Sequence, residues 1–186
     1  MCWTLSPSCS NVGLDKLLIK RGLVETDPAT GMVTDLAEVE RAPWPDGLEI
    51  SLANDDKGMA DFIRVTAEGF DIPDGLWGGW SALMLSNTGP EFNHFVGYLG
   101  GKPVSASMAL HRGDIASFYN IVTLEDARGK GIGGAITRES MLHAKGKGIR
   151  TGILEASKMG LPVYERLGFR KVCEFRMFVW MHAMDQ

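Results

Sequence analysis

Residues 128–134 read RGKGIGG. Four glycines, Gly129, Gly131, Gly133 and Gly134, fall within six residues, and two cations, Arg128 and Lys130, stand among them. Glycine lets a backbone turn sharply and approach a ligand closely. The residues before the turn, FYNIVT, have the β-branched and aromatic character of a buried strand, and those after it have helical periodicity. A helix that starts in such a turn directs its free N–H groups and its positive dipole end into it. The chemistry this favours is phosphate binding. Taken literally, Gly129-x-Gly131-x-x-Gly134 satisfies the dinucleotide fingerprint, with Glu155 standing about 20 residues on in the place of a ribose-binding acid. Three features oppose that assignment. LEDAR (124–128) intervenes between strand and turn, the preceding strands are joined by hairpins, and there is one late crossover. A Walker A loop needs Gly-Lys-Ser/Thr, which is not present.

The elements around this turn follow from hydrophobic period and punctuation. Residues 1–13 are small and polar and are expected to be poorly ordered, and 14–23 to form a short helix ended by Gly22. Pro28, Gly31, Pro43, Pro45 and Gly47 mark 25–47 as mostly loop, with one short element over 32–39. PWPDG (43–47) is the expected boundary between an N-terminal extension, 1–47, and the main domain, 48–186. In that domain a strand is expected at 48–52. A helix capped by Asn54 or Asp55 follows, with Met59, Phe62, Ile63, Thr66, Ala67 and Phe70 on one face. A second helix carries Leu76, Trp77, Trp80, Leu83 and Met84. Strands at 92–99, 103–111 and 115–123 are separated by Gly100-Gly101 and Arg112-Gly113-Asp114, so they pair antiparallel. The helix after the glycine turn leads to a strand at 150–156 that must lie parallel to 115–123. A short helix at 162–167 and one or two strands over 169–181 complete an α+β fold. It has one mixed, mostly antiparallel twisted sheet, helices on both faces and one βαβ crossover.

The bulk numbers set limits. The chain has 186 residues, is 45% hydrophobic and 23% charged, and has a net charge of −4, which fits a soluble globular protein without a basic field for nucleic acid. Cys2, Cys9 and Cys173 are odd in number and lack metal-like spacing; reduced thiols in the cytoplasm and no metal site are expected. No apolar run is long enough for a membrane span, and the N-terminus has no signal-peptide pattern.

Read in a different register, the turn is Arg128-x-x-Gly131-x-Gly133, of the form [R/Q]-x-x-G-x-[G/A]. This resembles motif A of the GNAT (GCN5-related N-acetyltransferase) superfamily. Downstream, Tyr164-Glu165-Arg166-Leu167-Gly168-Phe169 is similar to motif B. The resemblance covers about residues 48–182 and implies acetyl-CoA as cosubstrate, with its acetyl group moved to a primary amine by direct attack on the thioester. It implies a splayed central strand pair, whose edge at Ile121, Val122 and Thr123 binds the pantetheine arm through backbone groups, and a strand-bulge N–H that polarises the thioester carbonyl. The pyrophosphate would sit in the turn on Arg128, Gly129, Lys130, Gly131, Ile132, Gly133 and Gly134. Tyr164 matches the family's general acid or thiolate stabiliser, and Glu155 is the candidate base. Ser157 stands where many relatives carry an asparagine that contacts the cofactor.

A small-molecule or peptide amine is the expected partner, with Phe70, Trp77 and Trp80, or the loop acids Asp71 and Asp74, as acceptor-pocket candidates. For these the bland alternatives are core packing and solvation. A homodimer through the apolar C-terminal strand is the oligomeric expectation, and no membrane or nucleic-acid partner is expected. The competing class is a non-catalytic coenzyme A-binding module of the same fold.

Overall fold

The computed structural model describes residues 2–9 and 13–180. The chain divides into two compact units, Met1–Val33 with Glu155–Gln186, and Thr34–Leu154. The elements are β1 (Cys2–Leu5), α1 (Leu14–Lys20), β2 (Leu23–Asp35), β3 (Leu48–Leu52), α2 (Asp56–Gly69), α3 (Trp77–Ser86), β4 (Phe92–Leu99), β5 (Lys102–Arg112), β6 (Ile115–Thr123), α4 (Ile132–Gly146), β7 (Thr151–Ala156), α5 (Leu161–Arg166) and β8 (Arg170–Trp180). The α+β class, the meander and the parallel crossover from β6 through α4 to β7 are those expected.

In the Thr34–Leu154 unit the strand order is β3-β4-β5-β6-β7. The first three pairings are antiparallel and β6 with β7 is parallel. Asp55 starts α2 by accepting a hydrogen bond from Gly58 N at 2.7 Å, which satisfies one of the orphan donors of the first turn. Helical spacing then puts Met59, Phe62, Val65 and Thr66 on the buried face. Met59, Phe62 and Val65 pack with Met84 of α3 and with Val96, Ala106, Met108 and Val122 of the sheet. Phe62 is fully buried, a contribution of about 1.5–3 kcal/mol by area. The opposite sheet face takes α4. A Cβ at Gly97 would lie 3.7 Å from Ile136, Ser107 bonds Ser140, and Ile132 and Ala135 pack with Leu48 and Ala127.

A polar network joins α4 to β4 and β5. Asn93 Oδ1 accepts from His143 Nε2 at 3.0 Å and from Lys147 Nζ at 3.0 Å, and Asn93 Nδ2 meets His111 Nδ1 at 3.4 Å and donates to Glu91 O. This arrangement leaves His111 with its proton on Nε2. Burial, with Lys147 and His143 nearby, lowers the His111 pKa to about 4; burial lowers His143 as well.

In the other unit β8 lies between β1 and β2, antiparallel to both. Leu5, Leu18, Leu23 and Phe178 form its core. Arg176 of β8 donates Nε and Nη2 to the Glu25 carboxylate of β2, at 2.7 and 2.9 Å, and Nη1 to Asp15 of α1 at 2.9 Å. Two expectations are corrected here. Residues 2–5 form a strand instead of a poorly ordered tail, and a 3₁₀ turn follows at Pro7–Cys9. The stretch expected to be mostly loop, 25–47, is instead occupied up to Asp35 by the 13-residue β2, which starts at Leu23. Pro28 and Gly31 are accommodated at register shifts against β8, between Thr26 and Ala29 and between Gly31 and Met32. Gly31 is required there, since a Cβ would fall 2.5 Å from Cys173 Sγ. The C-terminal segment is one strand; its expected last residue, Met181, and residues 1 and 10–12 lie outside the described residues.

Histidines held neutral by the fold bind protons more readily once the chain unfolds, so acid favours unfolding. His111, whose pKa falls from 6.5 to about 4, therefore contributes stability that is complete above pH 6.5 and is lost as pH falls toward 4. His111→Gln should flatten that part of a stability-against-pH curve measured by thermal unfolding, while leaving the carboxylate-controlled loss at lower pH.

Candidate active site

The expected site residues fall in both units, and each group has its own local logic. In the Thr34–Leu154 unit the parallel ladder joins Ile115–Phe118 of β6 to Thr151–Leu154 of β7 and ends there. On the other side of β6, Tyr119 pairs with Met108 and Val122 with Ala106. Asn120 and Ile121 thus stand opposite the single residue Ser107, which is a one-residue bulge. Asn120 has φ +52°, a left-handed conformation that asparagine tolerates far better than a β-branched residue does. Its Nδ2 lies 3.4 Å from Met84 Sδ of α3. Asn120 carries no role in the sequence expectations; its signal is a lone short polar side chain inside a β-branched and aromatic run.

Beyond the bulge the end of β6 is fastened from two sides. Ser105 Oγ donates to Val122 O at 2.7 Å, and Arg128 Nε donates to Thr123 O at 3.0 Å. Arg128, expected to face phosphate, therefore also links the turn to the strand edge. Lys130 Nζ similarly donates to Asp126 O. Gly129 and Gly131 have φ of +76° and +78°. Gly131 is the N-cap of α4 and has no side-chain cap, so the first N–H groups of the helix, from Ile132 onward, lack a capping side chain. A Cβ at Gly133 would lie 3.3 Å from Thr123 Oγ1, so Gly133 sets the close approach of helix to strand, and Pro45 would lie 3.6 Å from one at Gly131. Gly134 continues the first turn of α4.

In the other unit Tyr164 is buried on α5. The YERLGF hexapeptide closes this helix: Gly168, at φ +89°, donates to Glu165 O, Phe169 N donates to Tyr164 O at 3.0 Å, and the two rings meet edge-on with centroids 6.0 Å apart. Gly160 gives the Tyr164 ring its space, since a Cβ there would fall 2.8 Å from Cε2. Ser157 Oγ accepts from Gly160 N at 3.2 Å, so its hydroxyl shapes the turn that leads into α5. Burial pushes the Tyr164 pKa up to about 12. Glu155 is exposed by area, yet partial burial of its carboxyl raises its pKa above the ordinary value.

Of the aromatic acceptor candidates, Trp80 donates to Thr66 Oγ1 and packs on the α2 core, and Trp77 donates to Ile72 O; Phe70 is 43% exposed. Asp71 and Asp74 are exposed. Among the described residues no group of three or more metal-ligating side chains is present.

Residues 90–171 match the family model described as an acetyltransferase (GNAT) domain. Over that stretch, less than half of the chain, the sequence is similar to the GNAT family. The wider fold agrees. A GCN5-related N-acetyltransferase from Kribbella flavida is 14% identical with a TM-score of 0.70, over 95% of this chain and 66% of that one. A GCN5-related N-acetyltransferase from Sphaerobacter thermophilus is 18% identical with a TM-score of 0.73, over 95% and 58%. A predicted acetyltransferase from Clostridium acetobutylicum, solved with acetyl-CoA, is 16% identical with a TM-score of 0.58, over 67% and 91%. The chain thus spans about two thirds or less of the first two relatives' length. No curated protein matches it in sequence.

The bulge in β6 depends on a residue that can hold a left-handed conformation. Asn120→Gly should leave stability within about 1 kcal/mol of the parent, whereas Asn120→Val should cost about 1–3 kcal/mol, read from urea midpoints at constant m.

Proposed function

We propose that the protein transfers the acetyl group of acetyl-CoA to a primary amine of a small-molecule or peptide acceptor, by direct attack of the amine on the thioester. The observation that carries this reading is the continuous run from the edge of β6, through the Asn120 bulge, to a glycine turn and an uncapped helix start. A strand edge suits the peptide-like pantetheine arm by β-augmentation, with Ile121, Val122 and Thr123 as the pairing residues. The pyrophosphate fits the N–H groups at Gly131, Ile132, Gly133 and Gly134, with Gly129 shaping the turn and Arg128 and Lys130 adding charge. A backbone N–H at the bulge would polarise the thioester carbonyl.

Two proton problems remain for side chains. The acceptor ammonium must lose a proton before it can attack. Glu155 is assigned as the base, directly or through water, and its raised pKa makes it a better proton acceptor than an ordinary carboxylate. The departing thiolate is assigned to Tyr164. With the tyrosine near 12 and a thiol near 8.5, full proton donation is uphill by about 5 kcal/mol. A hydrogen bond that stabilises the thiolate is therefore the favoured role, and general acid catalysis the lesser one. Ser157 is assigned an indirect part, through the turn that carries α5. The reading places the protein in the cytoplasm, as a homodimer. No helix among the described residues is long and apolar enough to cross a membrane.

Acetyl-CoA and coenzyme A should raise the melting temperature, and NAD and ATP should not. Stabilisation by NAD alone would overturn the assignment. Gly131→Asp should abolish the acetyl-CoA shift, by strain at positive φ and by charge in the turn. With an amine panel as acceptors, Tyr164→Phe should lower kcat by about 10- to 100-fold at nearly unchanged affinity for coenzyme A. Binding without transfer to any amine in the panel would leave the non-catalytic coenzyme A module instead.

A further inference from the structure

The stretch between the 3₁₀ turn at Leu36–Glu38 and β3 takes no part in the chemistry above, yet it ends beside the glycine turn. Its start is tied to the far end of α4. Lys145 Nζ donates to Ala37 O at 2.7 Å and to Val39 O at 2.8 Å. Its end is tied to the near end of the same helix. A Cβ at Gly131, the N-cap of α4, would lie 3.6 Å from Pro45 Cγ. Pro45 O accepts from Leu48 N at 3.0 Å, and Leu48 belongs to the apolar cluster of Ala127, Ile132 and Ala135. Helix rise puts Gly131 and Lys145 about 21 Å apart. The chain from Val39 to Pro45 spans about 20 Å when extended. Segment 39–45 is therefore an extended strap that runs along α4, antiparallel to it, and delivers its tip to the glycine turn.

Trp44 stands one residue before the Pro45 contact, between two prolines. Proline fixes its own φ and pushes the residue before it into an extended conformation, so Ala42 and Trp44 are both restricted. The backbone that carries the indole is thus set before any ligand arrives, which lowers the cost of using it. Trp44 is 39% exposed, so part of the side chain is seated and part is open to solvent. An open aromatic plane beside a phosphate site has a specific use. A nucleotide whose phosphates lie in the turn carries its base one ribose away, and bases stack on indole.

We propose that Trp44 stacks on the adenine of coenzyme A while the pyrophosphate lies in the glycine turn. It thereby makes the site prefer free acyl-CoA to a thioester on protein-bound 4′-phosphopantetheine, which has no purine. The inference rests on the acetyl-transfer reading for the place of the pyrophosphate. Stacking does not involve the 3′-phosphate, so coenzyme A and dephospho-coenzyme A depend on Trp44 equally. An indole that only fastened the strap to α4 would act differently. Its loss would shift Pro45 on Gly131 and weaken every ligand of the turn alike, 4′-phosphopantetheine included.

The probes are coenzyme A, dephospho-coenzyme A and 4′-phosphopantetheine, titrated calorimetrically into the full chain. Trp44→Ala should weaken the first two by about 5- to 100-fold and leave the third unchanged. Trp44→Phe, which keeps an aromatic face, should retain most of the affinity, and Trp44→Leu, which keeps apolar bulk without one, should not. In protein labelled with 5-fluorotryptophan, the ¹⁹F signal missing from Trp44→Phe belongs to Trp44. It should move with coenzyme A and hold its position with 4′-phosphopantetheine. Equal loss for all three probes, unchanged affinity for coenzyme A in Trp44→Ala or Trp44→Leu, or a Trp44 signal that coenzyme A does not move would each overturn this proposal while the transferase assignment stands. If the parent protein binds none of the three probes, the transferase assignment fails and this one with it.

Discussion

Every peptide group on a strand needs a partner, and β6 loses its parallel neighbour after Phe118. Much of the Thr34–Leu154 unit is arranged around that constraint. The bulge at Asn120 changes the direction of the strand while its ladder to β5 continues on either side. Ser105 and Arg128 then engage the carbonyls of Val122 and Thr123. Helix placement follows from the same stretch. A side chain at Gly69 would strike Val122, and one at Gly133 would press on Thr123, so α2 and α4 approach opposite faces of the strand through glycines. The strand edge and the turn are thereby held as one piece.

The two long helices of that unit begin in opposite ways. A side-chain carboxylate closes the start of α2, whereas α4 starts after a left-handed glycine with no side-chain cap. An uncapped start costs about 0.5–2 kcal/mol relative to a good cap. Leaving it open is reasonable where an anion is to be bound. In the other unit, burial moves Tyr164 away from easy proton loss, and a phenol that keeps its proton remains a hydrogen-bond donor. Packing thus bears directly on which of two chemical roles the residue can fill.

Strong periodicity and strong punctuation made most of the fold legible in the sequence. The limits of β3, the Asp55 cap, the hairpins at Gly100 and Gly113 and the helix after Gly131 all follow from local rules. Strand β2 was hidden because Pro28 and Gly31 signal loop, and only its register against β8 shows that they sit at irregularities of a ladder. The glycine turn was legible as a tight backbone turn that opens a helix. What each side chain does there was less so. Arg128 reaches a backbone carbonyl, Ser157 closes a turn and Gly160 gives room to Tyr164, contacts that depend on where the backbone passes. YERLGF carries a family resemblance and is also a helix-stop sequence, so one hexapeptide answers to both chemistry and local folding.

Arg176 ends up holding three elements, α1, β2 and β8, through two carboxylates on the surface of their unit. Its attachment of α1 is therefore largely ionic, in contrast to the apolar seat that Leu18 finds beside Phe178. Dissolved salt weakens the first kind of contact, and an excluded salt such as sulfate strengthens the second. The grip on this helix thus passes from charge to apolar contact as sulfate is added, so the choice of salt itself selects which of the two forces keeps α1 on its sheet.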